Sequence, residues 1–115
     1  MYVIKHTDGN IMPILRQLVE CRPHALHSID PIAGVDIREV KALVGEEVCL
    51  CGNVNCALMQ TGTAHEVEKS AEYCLTHGKP GGGYIYSSCN TVFRGIPPER
   101  YRLMLDVWER MRDYA

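Results

Sequence analysis

The chain has 115 residues, 46% of them hydrophobic and 23% charged, and a formal net charge of −2. This length fits one domain or part of one, and the balance is that of a globular protein. It excludes the broad basic surface that nucleic acid demands. No run of about 18 apolar residues is present to span a bilayer. The opening segment, MYVIKHTDGN, has no basic stretch leading into a long apolar one, so it is not read as a secretory signal. The expected compartment is the cytoplasm, where the six cysteines at 21, 49, 51, 56, 74 and 89 remain free thiols.

In chain order, Tyr2 to Lys5 read as a strand ending at His6, and Gly9-Asn10 as a turn. Ile11, Ile14, Leu15 and Leu18 follow helical spacing, with Pro13 in the first turn and Pro23 beyond the end. Cys21 and Cys74 are expected to pack within helices as small hydrophobes. Ala25 to Ile29 form a second strand. Asp36 is a good N-cap for a short helix carrying Ile37, Val40 and Val44, which Gly45 stops. Val48 to Cys51 form a third strand, closed by Gly52-Asn53. Thr63 and Glu66 spell a capping box ahead of Val67, Ala71, Cys74 and Leu75, and Gly78 ends that helix. Gly81 to Gly83 lead into a fourth strand, Tyr84 to Ser87. These glycines precede a strand, whereas a phosphate loop follows one. Pro97 and Pro98 open a last helix whose buried stripe is expected to be Tyr101, Met104, Leu105, Trp108 and Met111.

The order βαβαβαβα implies an α/β fold with a parallel sheet. Two architectures satisfy it: a small open doubly wound sheet, or part of a (β/α)₈ barrel. A barrel spends about 31 residues on each βα unit. The chain then holds just under four units and reads as half of a TIM barrel, a single partial domain over residues 1–115.

In either architecture function gathers at the carboxyl ends of the strands. Those ends carry His6-Thr7-Asp8-Gly9-Asn10, Ser28-Ile29-Asp30, Cys51-Gly52-Asn53-Val54-Asn55 and Ser87-Ser88-Cys89-Asn90. All four are polar, and together they read as one site. His6 and Asp8, two residues apart, either share a divalent metal, or Asp8 orients His6 for acid–base work, or the pair is ordinary turn chemistry. Cys89 offers a soft ligand for zinc if the barrel mouth brings the first and last strand ends together. Asn90 is suited to binding a substrate carboxylate or capping its loop. Cys49 and Cys51 point to one side as core filling, and without a Cys-x-x-Cys pair a zinc ribbon is disfavoured. Asn10, Asp30, Asn53, Ser88 and Arg94 complete the candidate substrate-binding set; Arg94 would meet an anionic group. His24, His65 and His77 read as solvated, while His27 sits within the second strand.

Several segments resemble a known superfamily. His6 to Asn10, HTDGN, is similar to the His-x-Cys-Gly-Asn segment of corrinoid methyltransferases. Val44 to Val54, VGEEVCLCGNV, resembles their VGDKVALxGNxD stretch. Thr61-Gly62-Thr63 with Glu66-Val67 resembles their GTPEEV helix start, and Gly82-Gly83-Tyr84-Ile85 with Pro98-Glu99 resembles their final strand and helix. The likeness runs in order along nearly the whole chain, to the uroporphyrinogen decarboxylase and corrinoid methyltransferase superfamily. It implies the last four units of a barrel, with the cleft at the carboxyl ends of the strands. One branch removes acetate carboxyl groups from a tetrapyrrole without a cofactor. The other moves a methyl group between a methylated corrinoid and a thiol, using zinc held by a His, a Cys two residues later and a Cys after the last strand. His6 matches the first ligand; Asp8 stands at the first Cys, and Asn90 at the last, with Cys89 one residue away. The decarboxylase branch has a His near that last position, where Asn90 stands here.

The resemblance therefore sets three expectations. The first is methyl transfer from a corrinoid, as free substrate or on a corrinoid protein, with His6, Asp8 and Asn90 catalytic and His6, Asp8 and Cys89 holding zinc or another divalent metal. The second is decarboxylation of a tetrapyrrole without metal. The third is a non-catalytic module that binds a corrinoid or pairs with another subunit. In each case the partner on the open side is an N-terminal half barrel or a second copy.

Overall fold

The computed structural model describes residues 1–114. Four strands, β1 (Ile4–His6), β2 (Ala25–His27), β3 (Cys49–Val54) and β4 (Tyr84–Ser88), pair in parallel in the order β1-β2-β3-β4. Strict sequential order decides between the two architectures. A doubly wound sheet reverses direction at a switch point; a barrel never does. The chain is half of a (β/α)₈ barrel.

Five α-helices connect and follow the strands: α1 (Leu15–Glu20), α2 (Ile37–Val44), α3 (Cys56–Thr61), α4 (Ala64–Gly78) and α5 (Pro98–Met111). Short 3₁₀ turns, Met12–Ile14 and Pro31–Ala33, precede α1 and α2. Pro13 sits in the first of these turns, so α1 begins later than the apolar spacing suggested. Asp36 caps α2 by accepting from the Arg38 N–H. Thr63 and Glu66 form both halves of the capping box on α4. The sequence reading missed α3. Its signal is Asn55, whose Oδ1 accepts from the Ala57 and Leu58 N–H groups and caps the helix.

Strand alternation sorts the sheet into two faces. Leu26, Leu50 and Val54 face the helices, with Tyr84 and Tyr86 packed beside them. One core joins α1, α2, β2 and β3, and a second joins β3, β4, α3, α4 and α5, with Tyr84 against both. The opposite face, the barrel interior, carries His27, Cys51, Ile85 and Ser87, where Cys51 Sγ meets Ser87 Oγ at 3.5 Å.

Four expectations are corrected here. β3 does not close at Gly52-Asn53 but runs through them to Val54. Gly52 makes that possible: at φ +140° it passes so close to the Ser28 carbonyl that a Cβ would lie 2.5 Å from its oxygen. β1 starts at Ile4 rather than Tyr2, and β2 ends at His27 rather than Ile29, so each stops at its His. Cys21 lies exposed just past α1 rather than packed within it. The apolar stripe of α5 is only partly buried. Met104 and Val107 are inside, while Tyr101, Leu105 and Trp108 are 38–41% exposed. They line a cleft of about 480 Å³ with Ile85 and Val92, because among the described residues no strand pairs beyond β4.

Candidate active site at the strand ends

The parallel strands deliver their carboxyl ends to one rim, and the side chains there touch. His6 Nδ1 and His27 Nδ1, from paired positions of β1 and β2, lie 2.7 Å apart. His27 Nε2 lies 3.0 Å from the Ser88 carbonyl oxygen at the end of β4. Asp8 Oδ1 sits 3.5 Å from His6 Nε2 and accepts from the Asn90 amide at 3.0 Å. Asp30 Oδ2 accepts from the Gly9 N–H at 2.9 Å and tethers the loop after β1. Three strand ends thus meet through one chain of polar contacts, running from Ser88 through the two imidazoles to Asp8 and Asn90.

These contacts fix the tautomers. A carbonyl oxygen only accepts, so His27 Nε2 carries a proton and donates it. In a neutral His27 the other nitrogen is then an acceptor, so His6 Nδ1 is the donor between the rings. His6 Nε2 keeps a free lone pair beside Asp8. The half-exposed His6 side chain leaves this nitrogen open to a substrate.

The other sequence candidates are placed as follows. Asn10 Oδ1 accepts from the Met12 N–H and begins the 3₁₀ turn. Ser88 serves through its carbonyl to His27, and its hydroxyl donates to the Asn90 carbonyl at 2.7 Å. Arg94 is exposed in the loop after β4. Asn53 leaves the candidate site: it is buried, donates to the Ile29 carbonyl at 2.7 Å and accepts from Cys74 Sγ at 3.1 Å. The kink at Gly52 breaks the alternation and swings its amide into the helix layer. Asp30 acts through the backbone, holding Gly9 and capping Pro31–Ala33 through the Ile32 N–H. His27 is the residue that sequence reasoning undervalued. Its signal was its place at the end of a strand with a polar continuation.

The set His6, Asp8 and Cys89 does not come together. Cys89 is 1% exposed and turns its thiol into the core, where it accepts from the Cys56 N–H at 3.3 Å. Among the described residues no three His, Cys, Asp or Glu side chains form a metal-binding group. Asp8 and Asn90 occupy the rim positions where the resemblance calls for thiolates. The donor set does not fit a thiolate-rich zinc centre.

The model of the uroporphyrinogen decarboxylase family matches residues 1–111. The chain belongs to the uroporphyrinogen decarboxylase family. Its fold is similar to a solved "methyltransferase from Methanosarcina mazei", with a TM-score of 0.79 and 20% identity over 97% of this chain. The aligned part is 32% of that longer chain, the share expected of half a barrel within a larger protein. That likeness speaks to the fold. No curated protein matches the sequence. Family membership places the polar chain at the position where barrel enzymes keep their active sites, the carboxyl face of the strands. Among the described residues no helix is long and apolar enough to cross a membrane.

Proposed function

We propose that this chain supplies the proton-handling wall of the active site in an enzyme that transfers a methyl group from a methylated corrinoid to a thiol. The observation that carries the reading is the coupled pair His6–His27 with Asp8 beside the free His6 nitrogen. A thiol is a weak nucleophile until it loses its proton. His6 Nε2 takes that proton, Asp8 stabilises the imidazolium, and Asn90 holds Asp8 in place through its amide. The thiolate then attacks the methyl carbon, and the carbon–cobalt bond breaks with its electron pair left on the corrinoid. Proton removal by a positioned base contributes about 10²–10⁴-fold. No step calls for a zinc-bound thiol, in keeping with the donor set at the rim.

Decarboxylation of a tetrapyrrole acid is the second reading. The same imidazole pair would return a proton to the carbon that loses carbon dioxide. The charge at the rim favours the first reading: Asp8 stands beside His6 there and repels a polycarboxylate. On either reading the open side of the half barrel is completed by an N-terminal half barrel or a second copy. The third reading, a non-catalytic module, rests on those open edges alone.

Methylcobalamin and a small alkyl thiol, given to the protein in its native assembly, test the proposal. Expected are loss of the methylcorrinoid absorbance, resistance to chelators, and a kcat lowered about 10²-fold or more in His6→Ala. Unchanged turnover in His6→Ala, or carbon dioxide release from uroporphyrinogen in place of methyl transfer, would overturn it.

A further inference from the structure

Below the rim, two cysteines from successive strand–helix junctions meet. Cys56 opens α3 after β3, and Cys89 follows β4 directly. The Cys56 N–H donates to Cys89 Sγ at 3.3 Å, and Cys56 Sγ donates to the Asn90 carbonyl at 3.5 Å. Cys56 lies in the wall of a cleft of about 320 Å³, with Asn90, Ile32 and Phe93 as neighbours. The other thiols have different partners: Cys21 is exposed at the end of α1, Cys49 Sγ lies 3.9 Å from the Leu50 carbonyl oxygen, Cys51 meets Ser87, and Cys74 is sealed in the core against Asn53.

We propose that Cys56 and Cys89 form a redox-active dithiol that closes reversibly to a disulfide by exchange with a small-molecule disulfide. The Cys56 thiolate attacks one sulfur of the small disulfide, RS–SR. The first RS⁻ leaves and takes up the proton that Cys56 has released. The Cys89 thiol then gives up its proton, its sulfur attacks the Cys56 sulfur of the mixed disulfide, and the second RSH leaves. Two protein thiols are oxidised to one disulfide, and one small disulfide is reduced to two thiols. The cleft admits the reagent to Cys56, while Cys89 beneath it acts as the resolving thiol. The contact with Cys89 also draws the Cys56 thiol down to about 7, which supplies thiolate near neutral pH. Closure ties the loop that carries Asn90 to the start of α3. Since Asn90 holds Asp8, oxidation fixes one wall of the rim.

The test treats the native protein with bis(2-hydroxyethyl) disulfide, blocks free thiols with an alkylating agent and maps the cysteines by tandem mass spectrometry. The expected result is a Cys56–Cys89 crosslink, a mass loss of two hydrogens, and reversal by dithiothreitol. Cys89→Ser is expected to stop at a mixed disulfide on Cys56. Modification confined to Cys21, with Cys56 and Cys89 both recovered as free thiols in the unsubstituted protein, would overturn the proposal.

Discussion

His6 and His27 show how little a side chain's identity says without its neighbour. Alone, His6 is an exposed histidine and His27 a part-buried one, each at a strand end; 2.7 Å apart, with the Ser88 carbonyl beyond, the tautomer of His27 fixes that of His6. The motif around His6 was legible because it is local, a His and an Asp two residues apart. The role of His27 was not, since its partners lie 21 and 61 residues away. Asn53 and Cys89 turn into the core rather than the rim for a related reason. Each sits one position from a kink or strand end, and a single step there exchanges the rim for the core. Cys74, which hydrogen-bonds Asn53, leads to a prediction at this scale. Burial pushes its thiol up to about 11 from an ordinary value of 9.0. Below the unfolded value of 9.0 both states keep the proton and no stability is lost. Between pH 9 and 11 the unfolded chain releases a proton that the folded chain holds, so stability falls as pH rises. Cys74 accounts for roughly 2–3 kcal/mol of that fall. Denaturant titrations of the wild type and Cys74→Ala across this range measure it as a difference between the two that shrinks with pH.

The elements were read most accurately where one residue type has one physical use. The capping box at Thr63 and Glu66, the Asp36 cap and the glycines before β4 all do what their chemistry suggests. Strand ends were harder, because pairing rather than propensity sets them. β3 continues past Gly52 since β4 offers partners as far as Ser88. The glycine that looked like a terminator is the residue that lets the strand pass Ser28. Gly52→Ala is therefore expected to destabilise the chain by at least about 2 kcal/mol, from the positive φ and the collision with the Ser28 carbonyl. The midpoint of urea unfolding checks this, and a change within experimental error would mean that β3 leaves the sheet at Cys51.

At the scale of the molecule, a half barrel has two unpaired edges and apolar surface beside each. Tyr2, Val3 and Ile4 are exposed on the β1 side; Ile85, Tyr101, Leu105 and Trp108 are exposed on the β4 side. The sequence announced the alternation and the strand order implied by a barrel, but not which stripe of α5 would remain uncovered. That is set by tertiary packing, and among the described residues no strand pairs beyond β4 to cover it. Both edges are templates for further parallel strands. The chain alone is expected to self-associate or to bind a complementary half barrel, burying on the order of 1,000 Å² or more. Trp108 is the only tryptophan, so its fluorescence should shift to the blue as the β4 face is covered. A sedimenting monomer with a solvent-exposed Trp108 under all conditions would argue against completion through these edges.

Closing the barrel would leave the carboxyl rim open and the four strand ends where they are, so the account stands or falls on the proton shared there. Long-range ¹H–¹⁵N NMR of the histidine rings measures it directly. The expected result is His27 protonated at Nε2, His6 protonated at Nδ1, and a proton coupled between the two rings that vanishes in His27→Ala. Both rings protonated at Nε2, with no coupling between them, would contradict it.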